Sequence, residues 1–314
     1  MNHRPILGAF ALLALSACSS TSGQAADASA VKEAEDRKRL AEETEARLAD
    51  PSRMLLDLDK ALDKYLQYRL SAGSIENDTR AQRLQSYLDE VAKKRFAVLV
   101  RLADQSENPH NRAIACAALG FAKEERDKAL QSLVNAVMAK EDDVVDNAVF
   151  GLGILAHKDT PPGLLETLID SAKRSSISRG GAAWSLYEVQ QAAIDQAPFL
   201  AIWRKVLDAG LDGYPPEVLV SALRGIGQSR DRANRERVER FVSHPMPLVR
   251  AAAAIALGRL NDPAAVPVLL ALIGPGETNQ NVRLAARKAL QALAGDVDHG
   301  YDVDEWKREF DRGH

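Results

Sequence analysis

Few side chains in this sequence are spaced to do chemistry together. His157 and Asp159 could act as a general base or as metal ligands, but the sequence predicts a turn there, where polar residues are expected anyway. The run Glu141-Asp142-Asp143 lacks the alternating oxygens of a calcium loop and suits the start of a helix. The histidines include no pair at a ligand spacing such as HxxxH; they are His3, His110, His157, His244, His299 and His314. We therefore expect no catalytic site, no metal, no cofactor and no small-molecule substrate.

The two cysteines lie in different settings. Cys116 follows Ala115 on an apolar helical stripe, so we interpret it as a buried small hydrophobic residue and not as a nucleophile. Cys18 closes the run Leu15-Ser16-Ala17-Cys18, directly after an apolar segment, residues 6–15, that is too short to span a bilayer. No disulfide framework is expected from two such residues.

Residues 1–17 have the layout of a removable secretion signal, with Arg4 ahead of the apolar segment. The Leu-Ser-Ala-Cys ending resembles the lipobox of bacterial lipoproteins. This resemblance implies that the Cys18 thiol is diacylated, that the chain is cut before Cys18 and that the new amine is acylated too. The alternative is an ordinary signal peptide with a cysteine near its cleavage site.

Two or three acyl chains on Cys18 would anchor the protein to a membrane without spanning it. Ser19 resembles the residue found in lipoproteins sent to the outer membrane of diderm bacteria. The expected location is thus the bacterial cell envelope, and in a diderm host the outer membrane facing the periplasm. Residues 18–30 are small and polar, which predicts a flexible tether.

Arginines are concentrated in one region of an otherwise acidic chain. Between Arg224 and Arg259 there are eight arginines and three carboxylates, a local net charge of +5, whereas the whole chain carries −3 and gives no reason to expect nucleic acid. One interpretation is a solvated helix in which Glu236 and Arg240 pair at i,i+4. The other is a surface for an anionic partner. Its candidate residues are Arg230, Arg232, Arg235, Arg237 and Arg240.

A repeated element must position these side chains. The pattern VRAAAAIALG, residues 249–258, recurs with alanine five places, a small residue two places and a branched aliphatic residue one place before its last position. The six closing positions, about 31 to 40 residues apart, are Gly120, Gly153, Tyr187, Gly227, Gly258 and Gln291. At about 100° per residue the three columns share one side of a helix. A second, aliphatic helix follows, and such hairpins must stack to cover their apolar faces.

Repeats that read VRxxAAxALG, then an Asp/Pro turn and an aliphatic helix, resemble HEAT repeats of the short bacterial kind, also called phycobilisome-lyase-like HEAT repeats. The resemblance runs from Asn108 to about Gly295 and is weakest in the third repeat, where Tyr187 replaces glycine. Neither an ankyrin TPLHxA run nor a tetratricopeptide pattern is present. The resemblance implies that one arginine column serves hydrogen bonding between repeats: Arg112, Arg179, Arg250 and Arg283.

The predicted fold class is all-α, an α-solenoid of about six helix hairpins. We assign residues 31–105 to an N-terminal helical segment, 106–296 to the repeat array and 297–314 to a C-terminal cap in which Trp306 and Phe310 fold back on the last helices. Residues 31–48 should form a solvated helix with i,i+4 ion pairs, and residues 79–103 a single long helix.

Phe150 and Trp184 share the column three places before the closing position, which points about 160° away from the alanine column and should face outward. On adjacent repeats they could form an exposed apolar patch, the usual mark of a partner site. The alternative is that the long third repeat folds over them. The same column holds Ala117, Arg224, Ile255 and Lys288 in the other repeats.

The function predicted from these observations is a non-enzymatic envelope lipoprotein that acts as a scaffold or adaptor for another envelope protein. One alternative, implied by the resemblance, is a bilin-lyase-like enzyme. Such an enzyme needs a cytoplasmic, pigment-bearing partner, which the lipobox contradicts. Another alternative is binding of an anionic envelope lipid or polymer by the arginine-rich region.

Cys18→Ala should abolish acylation and release the protein from the membrane fraction, because residues 31–48 are too polar to hold it there. Fractionation of cells with a high-salt wash measures this. A variant that still sediments with membranes would contradict the lipoprotein interpretation.

Overall fold

The computed structural model describes residues 49–70 and 74–312, together with eight positions between 32 and 46. The predicted signal, Cys18 and the tether lie outside the described residues. The chain divides into residues 1–54 and residues 55–314. Within the first part, Lys38 pairs with Glu42 at 3.9 Å and Arg39 with Glu43 at 4.0 Å. The predicted i,i+4 ion pairs are thus confirmed.

The regular elements of the described residues are helices. Short 3-10 segments, Arg232–Asn234 and Pro263–Ala265, precede α11 and α13. No helix in the described ranges is long and apolar enough to cross a membrane. The α-helices in chain order are α1 (Pro51–Leu70), α2 (Ile75–Lys94), α3 (Phe96–Gln105), α4 (Pro109–Leu119), α5 (Arg126–Val137), α6 (Asp142–Leu155), α7 (Pro162–Asp170), α8 (Ser176–Ala192), α9 (Ala197–Asp208), α10 (Pro216–Ser229), α11 (Arg235–Glu239), α12 (Pro247–Leu260), α13 (Val266–Ile273), α14 (Gln280–Leu293) and α15 (Val303–Arg312).

Residues 108–294 form an α-solenoid, as predicted. The first helices of successive repeats, α4, α6, α8, α10, α12 and α14, each pack against the next and form one layer. Each second helix packs on the first helix of the following repeat, as α5 does on α6 and α13 on α14. Every repeat is therefore covered by its neighbour, which is how a solenoid builds a continuous core.

The three predicted columns are buried in all six repeats. The alanine column, from Ala115 to Ala286, is fully covered, and so is the aliphatic column, from Leu119 to Leu290. Small residues let the first helices approach closely: a β-carbon built on Gly258 would lie 2.8 Å from the Ala289 Cα. Successive first helices thus meet backbone to backbone.

The predicted long helix over residues 79–103 is wrong. The chain turns at Arg95, where φ is −118° and ψ is 20°, and this turn separates α2 from α3. α3 packs on α4 as the second helices pack on their following repeats, and Arg112 Nε donates to the Ala103 carbonyl at its end. Hydrophobic spacing alone could not show the break, because apolar residues continue on both sides of it.

Ala117 does not face outward as its column predicted. Residues 113–119 of α4 are buried all round, and Ala117 is only 1% exposed. Tyr65 of α1 packs edge to face on Phe121, just after α4, with ring centroids 5.4 Å apart. The N-terminal helices therefore cover the outer side of the first repeat.

A buried polar network is specific to the long third repeat. Trp203 donates its indole N–H to Gln190 Oε1 at 2.7 Å, and Gln190 Nε2 donates to the Gly225 carbonyl at 3.1 Å. A β-carbon at Gly225 would lie 2.2 Å from the Trp203 ring nitrogen. The extra aromatic residue of the third repeat is thus accommodated by a glycine in the fourth.

The C-terminal helix α15 folds back on the array, as predicted. Trp306 is fully buried, stacks on Phe310 at 6.1 Å between ring centroids, and donates to the Gly300 carbonyl at 3.0 Å. α15 packs against α13. It thereby closes the last repeat, which an open solenoid end requires.

Gly258→Ala should destabilise the array by about 1–3 kcal/mol, because the new methyl group overlaps Ala289 and overpacking outweighs the gain in helix propensity. Gly181→Ala is the matched control, since nothing lies within 4 Å of its β-carbon position. That change should stabilise the protein by about 0.5–1 kcal/mol. Chemical denaturation of both variants measures the difference. Equal effects would contradict the close helix approach.

Candidate functional site

Phe150 of α6 and Trp184 of α8 form an aromatic pair on the predicted column, but neither ring is exposed as the sequence predicted. Their rings are stacked, with centroids 5.9 Å apart and planes 19° from parallel, and both side chains are half-buried. The Trp184 ring lies over Gly153, where a β-carbon would come within 2.5 Å of its Cζ3 atom. Glycine at a closing position therefore makes the room in which the indole lies flat against the preceding repeat.

Glu188 completes this site, and sequence analysis missed it. It lies one helical turn after Trp184 and accepts a hydrogen bond from Gln191 Nε2 at 2.8 Å. Burial raises the pKa of Glu188, and the nearby Arg69 acts in the opposite direction. The i,i+4 spacing of Trp184 and Glu188 was a signal that could have identified it. The site presents two aromatic rings with a carboxylate at one edge, so it can take apolar groups and contains no catalytic constellation.

The arginine column joins consecutive repeats. Arg179 Nε donates to the Ile169 carbonyl at 2.7 Å, and Arg283 Nε to the Ile273 carbonyl at 3.2 Å. These carbonyls lie at the ends of second helices, where intrahelical partners are lacking and a cation is favoured. Arg250 also holds Glu277 with its Nε and Nη2 atoms, at 2.7 and 2.9 Å.

Part of the arginine-rich region is paired. Arg237 and Arg240 both contact Asp208 of α9, whose pKa is lowered by the hydrogen bonds from Arg237. Arg235 contacts Glu239 at 2.7 Å and Asp262 at 3.1 Å. Three of the five candidate arginines thus have carboxylate partners. Two of these carboxylates, Asp208 and Asp262, belong to neighbouring repeats.

The other two candidates differ from these three. Arg230 and Arg232 are exposed and form no ion pair with any described residue. Arg230 ends α10 in the left-handed conformation, with φ at 55°. The structure therefore does not bring the five arginines together as one unpaired surface. Arg240 also contacts Asp208 and not the predicted Glu236.

His157 links two repeats and is not paired mainly with Asp159, as the sequence suggested. Its Nε2 lies 2.9 Å from Asp127 Oδ1 of α5, while Asp159 Oδ2 is 4.0 Å from Nδ1. The Asp159 backbone N–H donates to Nδ1 at 3.2 Å, which makes Nε2 the protonated nitrogen. Both ring nitrogens of His157 are therefore occupied by hydrogen bonds within the fold.

Cys116 and the acidic run at residues 141–143, the two other candidates for chemistry, have structural roles. Cys116 is fully buried, and this burial raises the pKa of its thiol to about 12. Asp142 and Asp143 begin α6, as predicted, and Asp142 contacts Arg174 at 3.0 Å. The described residues include no group of three or more His, Cys, Asp or Glu side chains that could hold a metal ion.

Part of the repeat array matches a known protein family. Residues 204–294, from the end of the third repeat through the sixth first helix, match the family described as HEAT repeats. These residues are HEAT repeats. The helix packing and the buried columns of the preceding repeats are the same, so the α-solenoid architecture of the matched residues extends through the array. No characterised protein matches the chain in sequence.

Several solved structures are similar to the HEAT array. One is the complex of CpcE and CpcF of phycocyanin lyase from Nostoc sp., with 21% identity over 63% of this chain and 76% of that one, at a TM-score of 0.48. A designed armadillo repeat protein has 18% identity over 62% of this chain and 98% of its own, at a TM-score of 0.45. Human deoxyhypusine hydroxylase has 15% identity over 82% of this chain and 96% of its own, at a TM-score of 0.29.

The Arg250–Glu277 pair should make the stability of the fold depend on pH. The hydrogen bonds from Arg250 lower the pKa of Glu277, so the pair stabilises the fold above the unfolded-state pKa and this contribution is lost as the pH falls through the folded-state value. Glu277→Gln should cost about 1–3 kcal/mol at pH 7 and flatten the loss of stability below about pH 5. Denaturation between pH 3 and pH 7 measures both effects. Glu236→Gln, at an exposed glutamate, should match the wild type; an unchanged pH profile for Glu277→Gln would contradict the assignment.

Proposed function

We propose that the protein is a non-enzymatic, lipid-anchored adaptor of the bacterial cell envelope, and that its HEAT repeats dock another envelope protein. Cys18 lies at the membrane, and the tether and the N-terminal helical segment connect it to the repeat array. In a diderm host the anchor lies in the outer membrane and the array faces the periplasm. No cofactor or small substrate takes part.

The stacked pair Phe150 and Trp184 is the observation that carries the docking proposal. Repeat packing needs the buried columns, but it does not need two large aromatic rings on the outer column. Half-buried aromatic residues supply large contact area at low entropic cost and are enriched at binding hot spots. The glycine beneath Trp184 lets the ring lie flat against the preceding repeat, where it stacks on Phe150.

The burial and the hydrogen bonds of the polar groups support a binding role rather than catalysis. The Cys116 thiol, with its pKa raised by burial, is a poor nucleophile. His157 and Glu277 form hydrogen bonds that join neighbouring repeats. A bilin-lyase-like activity would therefore need reactive groups other than these.

Photo-crosslinking in the native envelope tests the proposal. A benzoylphenylalanine at position 150 should yield a defined protein adduct, because it replaces one aromatic ring with another at the docking site. Adding Trp184→Ala should reduce the yield at least fivefold, while circular dichroism shows a folded array. Cys18→Ala should also reduce it, since the protein then leaves the membrane.

The control is the same crosslinker at position 194, where Ile194 is 89% exposed on the turn between α8 and α9. An identical adduct from this position would mean that the capture is nonspecific. An adduct at position 150 that ignores Trp184→Ala would place the binding surface elsewhere and overturn the aromatic part of the proposal.

A further inference from the structure

A second outer surface lies on α10, α12 and α14. Three large apolar side chains are exposed there: Leu248 at 55%, Ile255 at 38% and Leu284 at 40%. Leu248 and Ile255 are two turns apart on α12, and Leu284 lies on the adjacent α14. They belong to one outward helical face, so together they form an apolar centre.

Close helix packing aligns this surface in rows. A β-carbon on Gly227 would lie 3.0 Å from the Ala256 Cα, and one on Gly258 2.8 Å from the Ala289 Cα. Equivalent positions of the three helices therefore lie side by side, about 8–10 Å apart. Arg224, Ile255 and Lys288 occupy the same column and form a row in which an apolar residue lies between two cations.

Cationic side chains flank Ile255 in this apolar centre. Arg259 and Lys288 are exposed and form no ion pair with any described residue. The Arg259 Cδ atom lies over Gly227, so its stem bridges α12 and α10. Arg224 is exposed and has only an electrostatic interaction with the half-buried Glu188. Arg237, by contrast, pairs with Asp208 of the neighbouring repeat; on this surface the positive charge is left for another molecule.

We propose that this surface, Leu248, Ile255 and Leu284 with Arg224, Arg259 and Lys288, docks an acidic amphipathic helix of a partner protein. An apolar centre inside a charged rim is the layout of a protein interface. Helix-in-groove recognition presents apolar residues at i, i+3, i+4 and i+7, and flanking carboxylates complement the rim. The outer axes of three helices that pack 8–10 Å apart are about 16–20 Å from each other, a distance that a helix of about 15 residues covers. This docking requires neither the Cys18 anchor nor the aromatic pair.

Selection from a displayed library of random, helix-forming 15-residue peptides tests the proposal on the full chain in detergent. The enriched peptides should carry aspartate and glutamate beside apolar residues at helical spacing. A labelled peptide of this set should bind Arg259→Glu/Lys288→Glu at least tenfold more weakly than the wild type, and Ile255→Ser at least fivefold. Added salt should reduce the charge effect, because it screens exposed charges.

Arg230→Glu/Arg232→Glu is the matched control, since both arginines are exposed and form no ion pair with a described residue but belong to the segment that follows α10. It should bind the peptide within twofold of the wild type. Failure to enrich any peptide, enrichment of basic or neutral peptides, or equal losses in the two double variants would each overturn the proposal. Binding of phosphatidylglycerol vesicles that is lost in Arg259→Glu/Lys288→Glu, without enrichment of acidic peptides, would assign the surface to lipid instead.

Discussion

Close contact between the first helices of consecutive repeats is the constraint on which the array depends. Where Gly258 meets Ala289, and where Gly120 meets Gly151, no larger side chain fits without moving backbone. The contact fixes how far each repeat is from the next, and the aliphatic residues beside it fill the layer. On the outer column, the Trp184 ring also needs a glycine beneath it.

Charge provides a second connection along the array. Arg112 contacts Glu141, 29 residues away, Arg235 contacts Asp262 and Arg250 contacts Glu277, each 27 residues away. These separations are close to one repeat, so each pair crosses from one hairpin to the next. The half-buried pairs bind polar groups that helix ends leave unsatisfied, and they fix the register between neighbours.

The helix columns could be predicted because a helix is a local structure whose faces follow from spacing alone. The burial of Ala253, Leu257 and Gly258, for example, follows from their positions in the repeated pattern. The partners of Arg237 and Arg240 could not be predicted in the same way, because Asp208 lies in a different repeat and enters only through tertiary packing. Ala117 was misjudged for the same reason: its column faces outward in a repeat considered alone, but the N-terminal helices cover it. The stacking of Phe150 on Trp184 was anticipated because both occupy one column of adjacent repeats, whereas the role of Gly153 under the ring depends on a backbone distance.

The network of Trp203, Gln190 and Gly225 bears on how such a chain can evolve. Repeat arrays grow and shrink by duplication or loss of single modules, which works when any module fits beside any other. Here the indole of the third repeat occupies the space that a side chain at position 225 would take, and Gln190 ties it to that backbone carbonyl. The third and fourth repeats should therefore be inherited or lost together.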